Sequence, residues 1–415
     1  MKYLYFILPA ALTLCACQSD LTEEGVINNT APTQSITTRS EVTYPEPDGS
    51  AQLSTDPATA VWQVMQKIDA KYCALQMGET EITEAEMAEI RKFVDDNLRD
   101  ELSAYQTYLN IFQWIVKNMT YASSGEAYLR PYDVFKYKRC VCQGYANLLK
   151  AMCISQSIPC TIANGWLGYG DGNIIGGHAW NYVYANGEWY VSDPTNNQEF
   201  KASDVYSYQK KLIPLRLDIT LFEDYYFTYN YQNSQLNVCS IKPTTSNTVT
   251  VPYGIEGFRI TSFQPQTTIP ASITQLNVGA NITSFGDNPS SLERICPNIE
   301  EVNIDPTNKE LESYKGVVYR LGDEYPYYIP AGIRRIELRP MEIMDKNVIS
   351  FLPNLEEVVV ADGTKRIEEY AIEQCPNLKR VYVPASVEYI SPDAFYECGN
   401  PEIIRKSTGI HEVRI

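Results

Sequence analysis

Only two histidines occur in the 415 residues, and one of them, His178, sits mid-chain in the run GGHAWNYV. An imidazole becomes a working base when a carboxylate holds it in one tautomer and a nucleophile lies on its other side. The neighbouring sequence offers the carboxylate. Asn186-Gly187 is the strongest two-residue hairpin signal, and it is flanked by the alternating runs HAWNYVYA and EWYVSDPT. With that dipeptide as the loop, Ala185 faces Glu188, Trp180 faces Asp193 and His178 faces Thr195. Asp193 and His178 then share a face as diagonal neighbours, roughly 7–8 Å apart at the backbone, within reach of their side chains. The nucleophile candidate is Cys142. In RCVCQGYANLLKAMCISQ the residues Tyr145, Leu148, Leu149, Met152 and Cys153 fall on one helical face. Cys142 stands at the front of that helix, off the apolar stripe, where free N–H groups and the helix dipole favour a thiolate. Gly144, in the first turn, admits another backbone close by. Cys153, on the stripe, reads as a small hydrophobe. Alone, the Cys-x-Gly-Tyr string reads as a buried structural cysteine; the His178–Asp193 hairpin is what makes Cys142 a nucleophile candidate.

Three regions must carry and position these groups. MKYLYFILPAALTLCACQSD has a basic start, an apolar run to Leu14 and then small residues, the pattern of a secretory signal too short to span a membrane. Residues 1–16 are expected to be that signal. Residues 17–56, rich in Thr, Ser, Pro, Asp and Glu, bury too little apolar surface to offset their entropy and are expected to be a disordered tether. Helical signals begin near residue 57. Thr83 with Glu86 three residues on forms a capping box, and Ile82 with Met87 can form the accompanying staple, so a helix starts there. A second periodic run covers Tyr105 to Met119. Near residue 240 the texture changes to short strands with regular turns, so one domain is expected over 57–238 and another over 239–415.

Composition excludes some functions. Net charge is −17 with no basic patch, which argues against nucleic-acid binding. Of eleven cysteines, Cys15 and Cys17 belong to the leader. The nine that remain, an odd number in an exported chain, fit one free reactive thiol, and several buried free thiols would fit as well. Cys140-x-Cys142 is too tight for an easy disulfide and has no second pair to complete a zinc site, so neither a metal nor a cofactor is expected.

The stretch LCAC resembles a bacterial lipobox, which implies cleavage before Cys17 and lipid attachment to it. The acidic QSDLTEE behind it resembles the export tags of surface lipoproteins in some Gram-negative bacteria. The blocks VCQGYANLLKAMCISQSIPC, GGHAWNYV and GEWYVSDPT resemble the transglutaminase-like superfamily, papain-related thiol enzymes, in its bacterial and kyphoscoliosis-peptidase branches. The likeness extends over roughly residues 60–235 and includes NMTY, ending at Tyr121, and YDVF, starting at Tyr132. It implies an α+β papain-like domain with Cys142 as nucleophile, His178 as general base and Asp193 as its orienting partner. This chain departs from the family pattern at Cys140, where Gly is usual. It departs again at Gln143, where the protein-crosslinking enzymes have Trp, and at Asn196, where an aromatic is usual. The Gln143 departure favours hydrolysis or an undefined acyl transfer over crosslinking. Gln113 is a candidate oxyanion donor, though a solvated helix position is the plainer reading. Trp180 and Trp189 are candidate cleft walls, though packing residues of the hairpin are the plainer reading.

The C-terminal part repeats. CPNIEEVNI, LPNLEEVVV and CPNLKRVYV share one template, and IPASITQL, IPAGIRRI and VPASVEYI another. Each unit supplies a short apolar strand and a turn, so neighbours must stack to bury a core. The pattern resembles BspA-like leucine-rich repeats, with NKELESYKGVVYRL as an irregular insert, and implies a β-rich solenoid. Val358 and Val360 are expected to stack on Val381 and Val383 in parallel strands. Cys296, Cys375 and Cys398 are expected in an equivalent inward position as a buried ladder of free thiols. Together these readings imply a lipid-anchored thiol enzyme at the outer membrane, at the cell surface or otherwise facing the periplasm. It would act on peptide or glutaminyl amide bonds of a protein or peptide substrate. The repeats would bind that substrate or a host or surface protein or glycan, and the lipid would be the only membrane contact. The alternative is a non-catalytic adhesion or scaffolding protein that uses both domains for binding.

Overall fold

The computed structural model describes residues 50–73, 77, 81–123, 125–169, 173–204, 210–285, 295–406 and 412–414. The expected signal peptide, Cys17 and most of the expected tether lie outside these residues. The chain divides into two compact units, one over 55–219 and one over 220–415 together with the segment ending at Ser54.

The first unit opens with α1 (Pro57–Met65), α2 (Ala70–Cys73), α3 (Glu84–Asn97) and α4 (Ala104–Asn118). The capping box forms as expected. Thr83 Oγ1 accepts from the Glu86 N–H at 3.3 Å, and the Glu86 carboxylate accepts from the Thr83 N–H at 2.8 Å. Strand β1 (Thr120–Tyr121), helix α5 (Pro131–Tyr137) and strand β2 (Arg139–Cys140) lead to α6 (Cys142–Ser155), and β1 pairs with β2 in parallel. Tyr145, Leu148, Leu149, Met152 and Cys153 of α6 are all buried, against Ile90 and Val94 of α3 and Tyr108, Ile111, Phe112 and Ile115 of α4. Burying an aliphatic side chain of this size is worth about 1.5–3 kcal/mol, so the stripe anchors the helix that carries Cys142.

An antiparallel sheet completes this unit. It contains β3 (Cys160–Tyr169), β4 (Ile174–Ala185), β5 (Glu188–Asp193), β6 (Gln198–Lys201) and β7 (Lys210–Leu217). Its order is β7-β3-β4-β5-β6. The β4–β5 hairpin has the register that Asn186-Gly187 implies, from Ala185 opposite Glu188 to Asn181 opposite Ser192. Both loop residues take positive φ, 50° and 86°, as this turn demands.

The second unit begins earlier than the change of texture suggests. The hairpin of Phe227–Gln232 with Gln235–Ile241 belongs to it, because Leu236 pairs in parallel with Ile260. The boundary therefore falls at 219/220 and not at 238/239. Likewise the end of the expected tether is ordered. Ala51 exchanges backbone hydrogen bonds with Gly257 and Arg259, and Leu53 is buried. Beyond the hairpin, Thr248–Val251, Gln275–Val278 and Glu301–Ile304 stack in parallel. The irregular insert is an antiparallel sheet of Leu311–Tyr314, Val317–Arg320 and Pro326–Tyr328. From residue 335 the repeats stack through three parallel ladders, not the single strand per unit that was expected. One joins Arg335–Glu337, Glu357–Val359, Arg380–Val383 and Glu402–Lys406, and two more are built from dipeptides such as Arg366–Ile367 and Ile372–Glu373. Val358 lies opposite Val381, and Val358, Val360, Val381 and Val383 share one core. Cys296 and Cys375 are buried, Cys398 is half-buried, and none of the three is in a disulfide. Among the described residues, no helix is long and apolar enough to cross a membrane.

Candidate active site

The sheet and α6 bring Cys142, His178 and Asp193 together. Val141, the residue before α6, is extended and its side chain caps nothing, so the first N–H groups of the helix are open to another acceptor. The Cys142 sulfur is that acceptor: the backbone N–H of Gln143 points at it, as does that of Ala179 from β4. Gly144 has the role expected of it. A Cβ there would lie 2.4 Å from Cys140 Cβ and 2.6 Å from the Tyr128 carbonyl oxygen, so only glycine lets α6 start this close to the preceding segment.

His178 is buried and stands next to the half-buried Cys142, near enough for a hydrogen bond and for their charges to act on each other. Its Nε2 lies 2.9 Å from Asp193 Oδ2. An ionised carboxylate only accepts, so Nε2 carries a proton and Nδ1 is left to face the thiol. Asp193 is fully buried and accepts further from Asn196, whose side-chain Nδ2 donates to Oδ2 at 2.8 Å and whose backbone N–H donates to Oδ1 at 3.3 Å. Asn196 Nδ2 also stands 3.3 Å from His178 Nε2. Both nitrogens are donors in this tautomer, so the pair converges on the same carboxylate oxygen.

The electrostatics follow from these partners. Burial pushes the Cys142 thiol up, but the His178 hydrogen bond, its charge and the two backbone N–H groups outweigh burial and hold the thiol below its ordinary value. Burial pulls the His178 pKa down, but hydrogen bonds to Asp193 and Cys142 and their charges raise it to about 9. The two shifts act in the same sense, toward a thiolate–imidazolium pair. Cys140, fully buried two residues away, goes the other way: burial and the Cys142 charge push it up to about 12, so it is not a competing nucleophile.

The two secondary candidates fare differently. Gln113 is exposed on α4, opposite the buried stripe of Tyr108, Ile111, Phe112 and Ile115, so its side chain faces water and does not join the site. Trp180 has no exposed surface. It packs behind His178, with ring centroids 5.9 Å apart and planes at 22°, so it buttresses the imidazole and walls no cleft. Trp189 is buried as well, against Tyr184.

Three site residues were not assigned roles from sequence. Asn196 is, in sequence, only a departure from the family pattern, and its side-chain bond to Asp193 gives that departure a use. Tyr121 is half exposed and near the thiol: burial and the Cys142 charge raise its pKa. It stacks on Tyr145 of α6. Gln143 is locked in place, accepting from Asn164 of β3 at 2.7 Å and donating to Asn147 at 2.8 Å. Among the described residues, no group of three metal-ligating side chains is assembled.

Comparison with known proteins agrees with this division. A profile of the transglutaminase-like superfamily matches residues 91–194, which include Cys142, His178 and Asp193. A profile of the BspA-type leucine-rich repeat region matches 333–414 in six copies. The kyphoscoliosis peptidase of Mus musculus is 28% identical over 117 residues, covering 26% of this chain and 18% of that protein. The kyphoscoliosis peptidase of Homo sapiens is 30% identical over 115 residues, covering 25% and 17%. The chain thus spans less than a fifth of the length of these curated relatives. Among solved structures, the T. pallidum leucine-rich repeat protein is similar at 11% identity and a TM-score of 0.22, covering 43% of this chain and 90% of that one.

Proposed function

We propose that this chain, a transglutaminase-like domain followed by BspA-type leucine-rich repeats, is a thiol enzyme acting on peptide or glutaminyl amide bonds. The observation that carries the reading is the line from the half-buried Cys142 through the buried His178 to the buried Asp193, with a lowered thiol and a raised imidazole. In the reaction the Cys142 thiolate attacks the carbonyl carbon. The imidazolium then gives its Nδ1 proton to the departing amine as the C–N bond breaks, which leaves a thioester on Cys142 and a neutral His178. His178 next takes a proton from water, or from an acceptor amine, as that group attacks the thioester and releases the thiol. Asp193 keeps Nε2 protonated and the ring aligned throughout. The absence of Trp at Gln143 favours water as the acceptor.

Covalent trapping tests this. A mild acyl electrophile should label Cys142 once per chain at neutral pH. Cys142→Ala should abolish the label and His178→Ala should slow it by orders of magnitude. Asp193→Ala should be less severe, since the base survives without its orientation. If Cys142 resists every electrophile at neutral pH, the chain is better read as a binding protein built on this fold.

The setting we propose is a lipid anchor on Cys17 at the outer membrane, facing the surface or the periplasm, with the repeats holding a substrate or a surface partner. It rests on the LCAC string after the apolar run. Cys17→Ala should abolish fatty-acid labelling and move the protein out of the membrane fraction; unchanged labelling and fractionation would sink the anchor.

A further inference from the structure

Trp166 and the bare strand beside it point to a substrate preference at the thiol, an inference that rests on the enzyme reading. Helix α6 covers one face of β3 residue by residue. Cys153 meets Cys160, Ala146 packs on Ile162, and Gln143 accepts from Asn164. The next residue on that face is Trp166, which lies beyond the first residue of the helix and is 42% exposed. Across β4 the matching step is Gly177, directly opposite Trp166. One step back is Ala179, which packs on Cys142 and points its N–H at the sulfur. The Trp166–Gly177 step is therefore adjacent to the nucleophile.

Among the described residues, nothing requires glycine there. Among the described residues, a Cβ on Gly176 would meet no atom within 4 Å, and one on Gly177 would meet only the Trp166 ring, at 3.8 Å. Neither has a positive φ. Glycine inside a strand weakens it, and where the fold does not need it, it marks a place where another backbone comes close. The edge of β4 is available for that approach. Strand β5 pairs with β4 only from Asn181 onward, so among the described residues no strand covers this edge at Gly177. Alternate residues of an antiparallel strand present their N–H groups to the same edge. The Ala179 N–H turned toward Cys142 thus sets the direction of the Gly177 N–H and carbonyl. A large exposed apolar ring, a strand edge without a pairing strand and the reacting sulfur all meet at one step of the sheet.

We propose that the acyl donor is an extended peptide. It adds to the open edge of β4 along Gly176-Gly177, and an aromatic or large aliphatic side chain next to its scissile carbonyl reaches across Gly177 onto Trp166. Main-chain pairing supplies general peptide affinity, and the Trp166 surface supplies the preference.

The test uses the full chain and measures rates of Cys142 labelling. Acetylated amino-acyl acyloxymethyl ketones carrying Phe, Leu, Ala or Asp are compared with iodoacetamide, which has no side chain to recognise. The Phe and Leu probes should exceed the Ala and Asp probes by about tenfold or more, the discrimination one apolar subsite supplies. Trp166→Ala should collapse the Phe-to-Ala ratio toward one. Gly177→Val, which fills the space between substrate and ring, should do the same. Replacing the exposed Leu102, which sits beside Ser155 at the opposite end of α6 from Cys142, by Ala should leave the ratio as it is. A wild-type ratio near one, or a ratio unchanged in both variants while Cys142 still reacts, overturns the subsite and leaves the thiol chemistry standing. If iodoacetamide itself labels Cys142 no faster than an ordinary thiol, the enzyme reading fails and takes this inference with it.

Discussion

At the scale of the residue, the three charges of the site are arranged so that each sets the next. Asp193, buried and fed by Asn196, holds the proton on His178 Nε2, and the charge His178 can bear draws the Cys142 thiol below its ordinary value. This makes two measurable pH profiles differ. Alkylation by iodoacetamide needs only the thiolate. Its rate should rise through a midpoint below the ordinary thiol value and then stay level, because the thiol pKa is lowered. Hydrolysis of a peptide anilide also needs the imidazolium to protonate the leaving amine. It should share the acid limb, where the thiolate is protonated, and then fall again as pH passes about 9, where the imidazolium loses its proton. A hydrolysis rate that keeps climbing above that pH, or an alkylation midpoint at the ordinary thiol value, would contradict the ion pair. The members of this relay were legible in the sequence because a two-residue turn makes cross-strand register countable, and a helical stripe identifies the thiol left off it. Asn196 and Trp166 were not. Asn196 acts from a turn after the strand, where register no longer constrains position. Trp166 is exposed because α6 stops short of it, which only the packing of helix on sheet reveals.

At the scale of the element, α6 contains a charge that its amphipathic pattern hides. Lys150 lies between the buried Leu149 and Ala151, yet in sequence it reads as an ordinary solvated lysine. Its side chain has no exposed surface, and its ammonium lies 2.8 Å from Asp218. Asp218 in turn accepts from Thr161 Oγ1 and the Ile162 N–H, both at 2.8 Å, so it ties the helix to the start of β3. A partner 68 residues distant in the chain leaves no local signal, so sequence periodicity could not find it. Removing one member of a buried pair leaves the other uncompensated, at a cost of about 3–5 kcal/mol. Asp218→Ala should show that full loss, because it strands the ammonium and two further donors. Lys150→Met should cost less, because Asp218 keeps two of its hydrogen bonds. All five tryptophans of the chain lie between residues 62 and 189, so fluorescence during urea unfolding follows this unit alone. Equal effects of the two substitutions, or effects near zero, would show that the pair does not hold α6.

At the scale of the whole molecule, the second unit differs in kind from the first. In the repeats each apolar residue is buried chiefly by its counterpart in the next repeat: Val358 lies opposite Val381, and Val381 opposite Ile403. The repeats were legible in the sequence through their long template strings. The second and third ladders were not, because strands of two residues carry no periodicity to read. Such a stack is close to one-dimensional, and its stability is a sum of unit and nearest-neighbour terms. Val381 is fully buried between two neighbours. Placing a carboxylate there leaves an unpaired charge in an apolar layer, which is severely destabilising. In a one-dimensional stack the damage should be local. Val381→Asp should raise amide hydrogen exchange most in Glu357–Val359 and Glu402–Lys406, the strands on either side. It should raise exchange less at Arg335–Glu337 and least in Thr248–Val251, at the far end of the repeats. Exchange measured by mass spectrometry resolves these segments. If protection is instead lost equally across all of them, the unit folds as one cooperative body, and the additive account of its stability fails even though the stacking itself stands.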